Sequence, residues 1–230
     1  MRRRDFLRGS AAAGLTAATT AAAADQRTTA PLRVQVVMFD GVEEQDFAGP
    51  YEVFSVAAAH TSRGVETSYV RLDGPGVVRA SYGTLVEVEH GWAPEQADVI
   101  VVPGGGYARR QGPGMWAEID RGSLPAALAA AAQGRTLAAL CTGVLLLGAA
   151  GLLRGRPCIT HRGAVADLEA QGGIVTKARV VDDGDVVTAG GVTSGLDLAL
   201  WLVRRELGAG VAVGVENQLE YQVRGTVWTR

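Results

Sequence analysis

Cysteine and histidine are both scarce in this 230-residue chain: Cys141 and Cys158 are the only cysteines, and His60, His90 and His161 the only histidines. No CxxC pair and no Cys/His spacing of the metal-ligand type occurs, which excludes a structural zinc site. Two cysteines allow one disulfide in an oxidising compartment, but they sit in different contexts, and Cys141 reads as a functional thiol. A formal net charge of −2 is too close to neutral for a nucleic-acid-binding surface. No internal repeat occurs. The Ala/Gly/Thr-rich residues 9–24 are too short and too weakly apolar to span a membrane.

What is present begins with a leader. Arg3-Arg4-Asp5-Phe6-Leu7-Arg8 has the form of a twin-arginine export signal, followed by that weakly apolar stretch, with Ala22 and Ala24 offering an A-x-A cleavage site before Asp25. Its removal takes away Arg2, Arg3, Arg4, Arg8 and one acid, Asp5, leaving a more acidic chain. The expectation is a protein exported by the twin-arginine pathway to the periplasm or beyond the cell, without a stable membrane anchor. Residues 1–24 are then the signal, 25–31 a flexible lead-in and 32–230 one domain, 47% of the whole chain being hydrophobic.

Within that domain, short apolar runs alternate with helical patterns. Strands are expected over residues 32–39, 65–72, 97–102, 136–140, 157–160, 174–176, 179–181 and 186–189, with a hairpin or flap over 77–80 and 85–88. Helices are expected from Pro50, as the first helical position, to about residue 60, then over 124–133, 144–150, 165–171 and, as the closing element, 195–207. The alternation predicts an α/β fold with a mainly parallel sheet covered on both faces. Ligands bind such sheets at the carboxyl ends of the strands. Three segments follow strands immediately, residues 40–50, 103–106 and 141–143, and the fold should bring them together.

The third is the most informative. In Ala138-Ala139-Leu140-Cys141-Thr142-Gly143, the small residues Ala139 and Gly143 flank the cysteine at two positions either side, as a sharp strand-to-helix turn requires. The N–H groups and dipole of the following helix should lower the Cys141 pKa and can hold an anion that develops during reaction.

These residues resemble the ThiJ/PfpI superfamily. Asp46-Phe47-Ala48-Gly49-Pro50-Tyr51-Glu52-Val53-Phe54 is similar to the D-x-x-G-P-x-E-V-F segment of one branch. Pro103-Gly104-Gly105, the cysteine segment from Cys141 to Leu153, Thr160-His161, and Gly190-Gly191-Val192-Thr193-Ser194-Gly195-Leu196-Asp197 match in order and spacing. The resemblance covers about residues 33–222. It implies a flavodoxin-like sandwich and a homodimer. The branch contains isonitrile hydratases and the ligand-like domains of AraC-type regulators. The leader, and the lack of room for a helix-turn-helix domain before Arg230, favour the enzyme. Thr142 stands where protease-like and glyoxalase-like members place a histidine.

By that resemblance Asp46 is the catalytic acid beside the Cys141 nucleophile, although Gln45 precedes it where the branch has an apolar residue. Thr142 can position substrate or water, or cap the helix. Gly104 and Gly105 can present backbone N–H groups to the pocket. His161 and Thr193 can border it, while Glu43 and Glu44 read as solvated. The expected function is addition of water to an isonitrile, a small-molecule reaction needing no metal or organic cofactor. The alternative is an exported, non-catalytic module that binds a small ligand or senses oxidants through Cys141.

Overall fold

The computed structural model describes residues 30–230; the segment read above as a twin-arginine signal, residues 1–24, lies outside them. Residues Leu32–Arg230 form one compact unit. Its eight-stranded sheet has the order β12-β10-β11-β7-β6-β1-β2-β5, where β1 is Leu32–Val37, β2 Val65–Arg71, β5 His90–Gly91, β6 Val99–Val102, β7 Thr136–Leu140, β10 Val180–Asp182, β11 Val186–Ala189 and β12 Val227–Thr229. The strands from β5 to β11 run parallel, and β10 with β12 runs against them. Central strands are buried at every position of β6 and β11, which is why they read as unbroken apolar runs rather than alternating ones. The hairpin β3 (Gly76–Arg79) and β4 (Leu85–Val88) stands apart from the sheet, as do β8 (Pro157–Cys158) and β9 (Ile174–Val175).

The helices are α1 Glu44–Ala57, α2 Met115–Arg121, α3 Ser123–Ala131, α4 Val144–Ala149, α5 Val165–Ala170, α6 Ser194–Leu207 and α7 Ala209–Leu219. α1, α6 and α7 pack together on one face, and α2 to α5 contact one another in succession. This is the flavodoxin-like α/β architecture expected from the sequence.

Three element assignments need correction. α1 starts at Glu44, not at Pro50, so Pro50 lies inside a helix. The helix tolerates it at the loss of the one N–H that would pair with the Asp46 carbonyl, and the ring packs tightly on Gly195 at the start of α6, where a Cβ would come within 3.2 Å of it. α6 is not the closing element, because α7 and β12 follow. α2 was also not anticipated.

The chain runs from β1 outward to β2, then returns to the other side of β1 through β6 and β7. The reversal puts the carboxyl ends of β1, β6 and β7 side by side at the switch point, where α/β sheets bind ligands.

Candidate active site

The segments after β1, β6 and β7 meet as the spacing suggested. The Glu43 N–H donates to Gly104 O at 2.9 Å. The Gly104 N–H donates to Asp46 Oδ2 at 2.9 Å, and the Gly105 N–H to Thr142 Oγ1 at 3.0 Å. The approach is close enough that only glycine fits: a Cβ on Gly104 would lie 2.4 Å from Thr142 Oγ1, and one on Gly105 2.2 Å from Gly41 O. These two N–H groups are therefore consumed inside the protein. The expectation that Gly104 and Gly105 present free donors to a pocket is corrected: they fix Asp46 and Thr142 instead.

Cys141 leaves β7 with φ of 52°, a left-handed conformation that costs a non-glycine residue about 1–2 kcal/mol. Backbone bonds hold it there. Its N–H donates to Gly190 O at 2.7 Å, and its carbonyl accepts from Thr160 Oγ1 at 2.6 Å and from the His161 N–H at 3.4 Å. The turn throws the sulfur forward into a cavity of about 500 Å³, bounded by Glu43, Ser81 and Tyr82 of the hairpin tip, Gly105 to Arg109 of the loop after β6, Thr142, His161 and Val192. The hairpin tip is tied down by Ser81 Oγ on Gly41 O and by the Tyr82 N–H on Glu44 Oε1. Glu44 is thus a structural clasp rather than a solvated acid. On the opposite wall the Tyr107 hydroxyl lies 2.6 Å from Asp167 Oδ2 and 2.8 Å from Gly163 O.

Asp46 is fully buried in the first turn of α1 and lies beneath the cysteine rather than on the cavity wall. Its Oδ2 accepts the Gly104 N–H, and the carboxyl also lies within hydrogen-bonding reach of the Cys141 thiol. Burial pushes its carboxyl from the ordinary 3.8 up to about 7, against the pull of the Gly104 N–H. The Cys141 thiol is pushed up to about 12, first by burial and then by the Asp46 charge. Hydrogen bonds from the Val192 and Thr142 backbone N–H groups oppose this and are outweighed. The expected fall in the cysteine pKa is corrected on that ground: helix-end donors are present, but Cys141 is buried and its thiol sits over a carboxylate. Both shifts run upward for the same reasons, burial and the repulsion of a second negative charge, so the pair keeps a proton on the thiol after the carboxyl has ionised.

The other candidate residues divide. Thr142 is buried and its hydroxyl oxygen accepts from Gly105. His161 lines the cavity with its Nδ1 accepting the Gly163 N–H. Thr193 is exposed, does not border the cavity and makes no cap, its hydroxyl accepting from Arg179 Nη2 at 3.0 Å. Sequence reasoning missed the site roles of Thr160 and Val192. Val192 has φ of 43°, rare for a β-branched residue, and this aims its N–H at the sulfur. Its only sequence signal was its place after Gly190-Gly191. Both cysteines are free and buried. Among the described residues no cluster of three or more His, Cys, Asp or Glu is placed to hold a metal ion.

The DJ-1/PfpI family model matches residues 32–205. Over 193 residues the chain is 35% identical to an isonitrile hydratase of Pseudomonas putida, covering 83% of this chain and 78% of that one. Among solved structures it is similar to a ThiJ/PfpI family protein from Pseudomonas syringae, with a TM-score of 0.73 and 26% identity over 84% of this chain and 76% of that one. An AraC family transcriptional regulator from Pseudomonas putida superposes with a TM-score of 0.69 and 28% identity, over 82% of this chain and all of the other. Matched across all of its sheet but the last strand, and through the whole elbow around Cys141, the chain belongs to the DJ-1/PfpI family.

Proposed function

We propose that the protein is an isonitrile hydratase, converting a small isonitrile to the N-substituted formamide. The observation that carries this reading is the stacked Asp46–Cys141 pair, one proton shared beneath a cavity with an apolar share of wall. An isonitrile is neutral and reacts at a single carbon, which must gain both a nucleophile and a proton. Sulfur attacks that carbon as its proton passes to Asp46 Oδ1, and the same carboxyl returns the proton to the carbon. The product is a thioformimidate on Cys141, and no net charge is buried or lost. Water then adds to the imidoyl carbon, the nitrogen is protonated, and the carbon–sulfur bond breaks to release formamide and thiol. Tyr82, Ala108 and Val192 supply surface for the organic group. The 35% identity to an isonitrile hydratase supports the same assignment.

A protonated thiol is a poor fit to the oxidant-sensing alternative, because sulfenic acid forms from the thiolate. Export by the Arg3-Arg4 leader and assembly as a homodimer belong to the same proposed picture. A reporter fused to the leader should be exported with Arg3-Arg4 and retained with Lys-Lys, and light scattering should give twice the chain mass.

The deciding experiment is incubation with cyclohexyl isocyanide, with formamide followed by mass spectrometry. Wild type should produce N-cyclohexylformamide and Cys141→Ala none. Formamide from folded Cys141→Ala at the wild-type rate would remove the nucleophile from the reaction, and none from wild type would remove the hydratase assignment.

A further inference from the structure

The two halves of the proposed reaction place different demands on the site. In the first, a proton moves between sulfur and carbon, and Asp46 lies directly below the sulfur. In the second, a water arriving through the cavity must lose a proton while the imidoyl nitrogen gains one. Asp46 is fully buried and forms no part of the cavity wall, so with Cys141 carrying the adduct it is screened from that water.

The wall itself offers few bases. The His161 Nδ1 already accepts the Gly163 N–H, so the neutral ring carries its hydrogen on Nε2 and can only donate there. The Tyr107 hydroxyl is committed to Asp167 and Gly163. Arg109 is a cation that reaches Ser81 O. Thr142 Oγ1 is occupied by the Gly105 N–H. Glu43 remains. It is the N-cap residue of α1, yet its side chain makes no capping bond, and it has no hydrogen-bond or ion-pair partner among the described residues. Its backbone is held by the Gly104 carbonyl at 2.9 Å, which fixes where the side chain starts. Burial and the neighbouring Glu44 raise its pKa, making the carboxylate a better base than a solvated one.

We infer that Glu43 is the general base of the second half-reaction, taking a proton from the water that attacks the Cys141 thioformimidate and delivering it to the imidoyl nitrogen. The balance is complete. The water oxygen bonds to carbon, its proton passes through Glu43 to nitrogen, the carbon–sulfur bond breaks, and the remaining hydroxyl proton returns to the Asp46–Cys141 pair as the formyl carbonyl forms. The inference rests on the hydratase reading, and the test separates the two.

Wild type and Glu43→Gln are mixed with cyclohexyl isocyanide, and both formamide and the intact-protein mass are followed. Expected is a fall in turnover of about 100-fold or more in Glu43→Gln, with the isocyanide mass accumulating on Cys141. The adduct itself shows that the variant is folded and its thiol competent. Glu43→Asp, which keeps a carboxyl one methylene shorter, should be slowed less than Glu43→Gln. Turnover of Glu43→Gln within twofold of wild type overturns the role, as does equal adduct accumulation in both proteins. Failure of the folded variant to form any adduct also overturns it, since Glu43 would then act on the first half. Neither adduct nor formamide from wild type overturns the hydratase reading and this inference with it.

Discussion

At the residue scale, two acids three positions apart stand in different surroundings: Asp46 is fully buried beneath Cys141, whereas Glu43 is half-buried on the cavity wall. Asp46 has its folded pKa raised from 3.8 to about 7, so between those values the folded chain keeps a proton that the unfolded chain has lost. The contribution is fully present below about pH 4 and is lost as pH rises to 7, so stability falls across that window by up to about 4 kcal/mol. Asp46→Asn keeps an acceptor for the Gly104 N–H and cannot ionise. It should match wild type in chemical denaturation at pH 4 and exceed it at pH 8. An equal difference at both pH values would show that burial of this charge is not the cause. Turnover should move oppositely. The pair reacts with one proton, so kcat/KM should rise through about pH 7 and level off, and Asp46→Asn should be inactive. The sequence placed Asp46 and Cys141 as partners, but it did not disclose their titration. That depends on the absence of water around them, a property of the packed fold and not of neighbouring letters.

At the element scale, the central strands were legible because buried parallel strands leave unbroken apolar runs, whereas the short edge strands β5 and β12 were not. Nor were the irregular helices. Pro50 suggested a helix start because proline favours the first turn, yet Asp46 and Phe47 already donate backwards to the Glu43 carbonyl. This error hid Asp46's place on a helix and made it look like a loop acid. α7 was missed because its Gly and Val content is poor for helix; it forms by packing on α1 and α6. The elbow was legible through Gly143, and its reason is now concrete. A Cβ there would lie 2.3 Å from the carbonyl oxygens of both Val102 and Pro103. Gly143→Ala should therefore cost about 2–4 kcal/mol. Gly151→Ala, at φ of 76° with nothing within 4 Å, should cost only its backbone strain of about 1–2 kcal/mol. Urea denaturation of the two variants checks the order; a costlier Gly151→Ala would mean that the β6 end yields to the elbow.

At the scale of the whole molecule, the reactive turn is held from the far edge of the sheet. β12 pairs with β10 through Val227, Trp228 and Thr229, and the Arg179 N–H just before β10 donates to Thr226 O. The Arg179 carbonyl in turn accepts the Gly190 N–H, and the Gly190 carbonyl accepts the Cys141 N–H. The last strand is thus three hydrogen bonds from the nucleophile, although no motif in its sequence hints at a part in the site. Deleting residues 226–230 should have two consequences. β10 becomes an unpaired edge of buried valines, which invites self-association. The residue 179–190 brace also loses its outer support, so the strained Cys141 geometry is less firmly held. The truncated chain should therefore denature at lower urea and form the Cys141 adduct more slowly than wild type, with the rate loss also present in its monomeric fraction after size-exclusion separation. A truncated monomer that forms adduct at the wild-type rate would show that the Thr160 and Gly190 bonds hold the elbow without help from the sheet edge.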